Sequence, residues 1–179
     1  MHRLLAVSIL LLALGCIAHA ADANAPSEKV MQHLGAATVK MILAAEKGEV
    51  FRVGNLEYEK AGTLETLGGR LIQGTGIVMS KDFLERLKAT LLAENTYFKS
   101  DSKGTVTGVG YRLTLPSGVV EISCCLKKGN VWIVTKNAEG TVLTKGDRRG
   151  FRDDTSSPMR ILAAEALPED ADVQKCKPK

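Results

Sequence analysis

The sequence predicts an α+β domain: an antiparallel sheet with a C-terminal four-stranded meander, packed on two or three helices. Three observations predict it. Four runs of alternating apolar residues follow one another between Val106 and Thr144, with turn residues between them. Stretches after Ser27, Ser80 and Ser157 carry apolar residues at helical spacing behind a residue suited to capping. Hydrophobic residues at 45% and charged residues at 25% of 179 positions suit one globular domain, and aromatics at 4% predict an aliphatic core.

In chain order, the first twenty residues differ from the rest. Arg3 precedes an apolar run from Leu4 to Ile17, and Ala18-His19-Ala20 fits the small-x-small rule for signal-peptide cleavage. The expectation is an exported protein, periplasmic or secreted, with residues 1–20 removed. A single small domain then spans 21–179, with its core at 27–168 and a flexible C-terminal tail. The apolar run falls short of the ~20 residues of a membrane span, so no transmembrane segment is expected in the mature chain. A second reading is an envelope lipoprotein anchored at Cys16, although Ala13 and Leu14 occupy the places where a lipobox carries a large aliphatic and a small residue. Loss of Arg3 with the leader lowers the formal net charge from +4 to +3. That is too mild for a dedicated nucleic-acid binder, and no nucleic-acid partner is expected.

Ser27 caps a helix whose apolar positions are Val30, Leu34, Ala37, Met41 and Ala45, with Gly48 as its stop. Glu49 to Val53 alternates as a short strand, and Asn55 to Gly69 reads as loop with one ragged strand. Arg70 to Met79 resumes the strand pattern, and Gly74 and Gly76 in its middle signal a bulge or a bend. Met79 stands where a dinucleotide-binding loop has its third glycine, so no nucleotide cofactor is predicted. After Ser80, Phe83, Leu84, Leu87, Leu91 and Leu92 form one stripe, and Asn95 ends that helix. A polar connector leads to Lys103.

In the meander, Val109, Tyr111, Leu113 and Leu115 share a face with Val120, Ile122, Cys124 and Leu126 of the next run. Arg112, Thr114, Glu121 and Ser123 lie opposite, on a more polar face or one awaiting a partner. Ile122→Asp is therefore expected to unfold the domain and Glu121→Lys to be nearly silent. Pro158 begins the last helix, on Met159, Leu162, Ala163 and Ala166, and Val173 and Cys176 are the tail's anchors.

Chemistry-bearing residues are few. His33 is the only histidine beyond the leader, without Cys-x-x-Cys or His-x-x-His, so no metal site and no cofactor are predicted. No nucleophile elbow or Ser-x-x-Lys is present, and no catalytic residue is assigned. Cys124, Cys125 and Cys176 are candidate thiol or disulfide positions. Two outcomes stand level: Cys176 bridged to Cys125 or Cys124, closing a ~50-residue loop for about 3–4 kcal/mol, or three unpaired thiols. A thiol-dependent enzyme or redox protein using Cys124 and Cys125, with Lys127 and Lys128 nearby, is the catalytic alternative. Lys145, Arg148, Arg149 and Arg152, beside Phe151, form a candidate anion- or partner-binding loop, partly neutralised by Asp147, Asp153 and Asp154. The expected function is an exported, non-enzymatic domain binding a macromolecular partner, either a protein or an anionic envelope component.

Overall fold

Nine strands and five α-helices lie among the described residues of the computed structural model, which are 26–54, 65–98, 108–145, 149–151 and 157–178. Helices α1 (Glu28–Leu34) and α2 (Ala36–Ala44) come first, followed by β1 (Lys47–Gly54), β2 (Thr66–Leu67) and β3 (Arg70–Val78). Helix α3 (Lys81–Leu92) and a 3-10 turn (Glu94–Thr96) lead to β4 (Tyr97–Phe98). Strands β5 (Gly108–Leu115), β6 (Gly118–Cys125), β7 (Asn130–Asn137), β8 (Val142–Lys145) and β9 (Arg149–Phe151) follow. Helices α4 (Pro158–Ala166) and α5 (Ala171–Gln174) close the chain. No helix among the described residues is long and apolar enough to cross a membrane.

The α+β class and the antiparallel sheet are as expected, with strand order β2-β3-β1-β5-β6-β7-β9-β4 and β8 also paired to β7. Strand β1, far earlier in the chain, inserts between β3 and β5. The runs between Val106 and Thr144 are therefore the middle of a larger sheet. In β3, Gly74 takes φ +88° and the pairing with β1 slips between Val50 and Arg52, which is the irregularity the two glycines signal. A Cβ on Gly76 would meet the Phe51 ring at 2.6 Å, so this glycine also makes room for an aromatic side chain.

Several expected boundaries move. The single helix from Ser27 is two helices, because Gly35 at φ +82° ends α1 and opens α2. Gly48 lies inside β1, where its missing Cβ admits the Met79 side chain. Helix α3 stops at Leu92, before Asn95. Ser80 caps α3 by accepting from the Phe83 N–H at 3.1 Å, and Ser27 accepts from the Val30 N–H at 3.3 Å. Ser157 occupies the same position on α4 without a side-chain capping bond, and Pro158 alone supplies the start signal. Past Pro168 the tail forms α5, capped by Asp170, which buries Val173 in the core and packs Cys176 against it.

The alternating apolar positions of β5 and β6 face the helices. Val109, Tyr111, Leu113, Val120, Ile122 and Cys124 form one cluster with Ile42, Leu87, Leu91, Met159 and Leu162. Each large aliphatic side chain there contributes about 1.5–3 kcal/mol by leaving water. Tyr111 is 0% exposed, and its hydroxyl has no hydrogen-bond partner among the described residues. An orphaned buried hydroxyl carries its full desolvation cost. Tyr111→Phe is expected to stabilise the fold by about 1 kcal/mol, read as a higher urea midpoint, and a loss of similar size would mean that the hydroxyl is satisfied.

Two ion pairs tie elements together. Arg86 of α3 binds Glu165 of α4 through both terminal nitrogens and holds its carboxyl below the ordinary value. Arg52 of β1 donates to Asp170 at 2.5 Å, joining the sheet to the cap of α5. Burial pushes the Asp170 carboxyl up, but the Val173 N–H, Arg52 and the Asp172 N–H together outweigh it and leave the group lowered. A carboxylate lowered in the folded state stabilises above its unfolded pKa, and that stabilisation is lost as pH falls through the folded value. Between about pH 6 and pH 2 the native protein should lose more stability than Asp170→Asn does. Parallel losses in the two proteins would exclude this pair as a source of acid sensitivity.

Candidate functional site

The sheet face away from the helices is built around a folded-over hairpin. Leu67 and Arg70 pair across Gly68-Gly69, whose φ values of +55° and +75° make the two-residue turn that hairpins favour. The tip of β2–β3 lies on β5 and β6: a Cβ on Gly110 would meet Leu67 at 2.8 Å, and one on Gly68 would meet Ser123 Oγ at 3.2 Å. Phe51, Val53, Leu67 and Ile72 form a small second core beneath it.

Glu121 fixes the tip in place. Its Oε2 accepts from the Gly68 N–H at 3.0 Å and lies 2.9 Å from Lys136 Nζ on β7, while Arg112 Nε stands 3.9 Å from Oε1. Arg112 also pairs with Glu65 at 2.7 Å and stacks its guanidinium 5.0 Å from the Phe51 ring centre. The near silence expected of Glu121→Lys is thus corrected. Glu121 is 4% exposed and Ser123 is buried, because the hairpin covers them and the carboxylate has partners to offset its burial.

Between the hairpin tip and β8 lies an open groove of ≈ 420 Å³, lined by Gly69, Arg70, Glu121, Trp132, Lys136 and Val142 among others. Its volume falls in the range of ligand clefts. Trp132, the only tryptophan of the chain, forms part of its wall. Lys136 is committed to Glu121, whereas Arg70 has no ion-pair partner among the described residues.

The three cysteines among the described residues, Cys124, Cys125 and Cys176, are free. Of the two outcomes that stood level, the structure has the three unpaired thiols. Cys125 lies on the face opposite the core that Cys176 packs against, so the sheet separates those two. Burial, and then Cys125 beside it, pushes the Cys124 thiol far up from its ordinary value, away from the nucleophilic thiolate. The cleft at Cys125 holds only ≈ 20 Å³, room for about one water.

Of the basic loop, Lys145 ends β8 opposite Val134 and Arg149 begins β9 opposite Val131, so both come to the β7 edge on either side of Trp132. Arg148 and Arg152 lie outside the described residues. Sequence reasoning missed Arg70, Trp132, Glu121 and Lys136 as a group. The signals were the Gly68-Gly69 pair and a lone tryptophan in the meander. Among the described residues no cluster of three or more metal-ligating side chains occurs. No family model, curated protein or solved structure matches the chain.

Proposed function

We propose that the chain is an exported, non-catalytic interaction domain whose sheet face opposite the helices receives a partner. The arrangement we infer is a meander, β5 to β8, packed on helices behind and offering the Trp132 groove in front. The observation that carries this reading is the groove itself, in which Trp132 and Arg70 stand beside a carboxylate latch that holds the hairpin over the sheet. An aromatic wall with an uncommitted guanidinium suits recognition of another molecule. Export follows from the leader pattern at residues 1–20. The thiol-enzyme alternative draws little support from a buried Cys124 with a raised pKa and a Cys125 served by a one-water cleft.

A photo-crosslinking residue introduced in the host cell separates the two faces. Val142 beside the groove and Ile161 on α4 are similarly exposed, at 50% and 45%. The expected result is one identified adduct from position 142 that is absent from position 161 and lost in Trp132→Ala. Adducts from position 161 alone, or from neither position, would move the interaction away from the groove.

A further inference from the structure

We infer that the groove binds an acidic polysaccharide, with the ring of one uronate unit on Trp132 and its carboxylate on Arg70. The inference rests on the outer-face reading above and names the chemistry of the partner.

The place of the groove narrows the class of partner. It lies on the face of the sheet, on the β7 side of β8. Beneath it the backbone is already engaged: β6 pairs with β5 and β7 along its length, and β7 pairs with β8 from Val134 to Lys136. Strands hydrogen-bond within the plane of their sheet, so no ladder of N–H and C=O groups faces the groove. An extended peptide gains no strand pairing there. What the groove offers is side chains.

Those side chains are a flat apolar ring and a planar donor. Trp132 and Val134 share the outer face of β7, opposite Ser123 and Glu121 of β6. Trp132 is half-buried, and it lines both the groove and the narrow cleft at Cys125. Arg70 lines the same two spaces, so the indole and the guanidinium border one junction. A sugar acid matches that pair. The C–H groups on one face of its ring are weakly positive and suit the negative face of an indole, while its carboxylate suits the parallel N–H groups of an arginine fork.

Charge gives the same sign. Glu121 is buried, with Lys136 at 2.9 Å and Arg112 Nε at 3.9 Å to match it, whereas Arg70 has no ion-pair partner among the described residues. One uncommitted cation suits one carboxylate per ring. The groove is also open, at ≈ 420 Å³, so the units before and after the bound ring can continue into solvent.

Trp132 is the single tryptophan of the chain, so its fluorescence reports the groove directly. The exported chain is titrated with tetragalacturonate, its methyl ester and a polyglutamate of matched charge. Salt is held at about 0.15 M, where exposed charges more than about 8 Å apart are screened. The expected result is a saturable change with tetragalacturonate, and binding about tenfold or more weaker for the ester and for polyglutamate. Arg70→Gln should weaken tetragalacturonate by about tenfold, with the melting temperature checked to confirm folding, and Arg70→Lys should restore only part of the loss because an ammonium lacks the fork. Equal binding of the ester, or native affinity in Arg70→Gln, overturns the inference. So does polyglutamate binding as tightly as the uronate, or no response to any probe. Each of these leaves the outer-face reading intact where the adduct from position 142 forms. Failure of that adduct sinks the reading itself.

Discussion

Ile122→Asp abolishes folding. Ile122 is 0% exposed on β6, flanked by Tyr111 of β5 and Ile133 of β7, and lies in the cluster that receives α2, α3 and α4. An aspartate there would lose the isoleucine's burial, worth about 2–5 kcal/mol with its cavity term, and would need either an unpaired buried charge or a strongly raised pKa. A domain with about 5–15 kcal/mol of net stability does not absorb both. The variant is expected to show no cooperative thermal transition. Ile122→Val separates packing from polarity and should cost only about 0.5–1.5 kcal/mol in the same experiment.

Glu121→Lys is expected to cost about 3–4 kcal/mol, far from the near silence that a solvated face implies. The substitution removes the acceptor of the Gly68 N–H and places a third cation beside Lys136 and Arg112. Glu121→Gln keeps an oxygen for Gly68 and loses only the charge, so it should cost roughly 1–2 kcal/mol. Denaturant midpoints for the pair decide the matter. A Lys variant within about 0.5 kcal/mol of the native protein would mean that the hairpin does not rest on Glu121.

Large losses from adjacent positions facing opposite ways do not contradict the strand register; they mean that both faces are covered. Alternation along β5 and β6 reports which residues share a face, and that much was legible: Val109, Tyr111, Val120 and Ile122 all enter the helix-side core. It does not report what lies over the second face. That cover comes from β2–β3, some fifty residues earlier in the chain, and only the folded topology brings Gly68 onto Glu121. The local signal was nonetheless present, since Gly68-Gly69 between Leu67 and Arg70 is a two-residue hairpin signature. Its reading as loop concealed the site.

The same logic explains the other departures. Apolar spacing from Val30 to Met41 is continuous across Gly35, so periodicity alone does not reveal the break that its positive φ imposes. The insertion of β1 between β3 and β5 leaves no mark in either strand's sequence, because pairing partners are chosen by global packing. Cysteine counting raised the possibility of a bridge, whereas placement on opposite sheet faces decides that Cys125 and Cys176 stay apart. Of the basic loop, Lys145 is placed opposite Val134 and Arg149 opposite Val131 along β7.

The β2–β3 hairpin is latched onto Glu121 and so shapes the Trp132 groove. Amide hydrogen exchange at Gly68 tests it most directly, because that N–H donates to a side chain and not to a neighbouring strand. Slow exchange is expected at Gly68 in the native protein, and rapid exchange in Glu121→Ala, under conditions where the β6 amides stay protected in both. Exchange at the rate of an open chain in the native protein, or protection unchanged by Glu121→Ala, would contradict it.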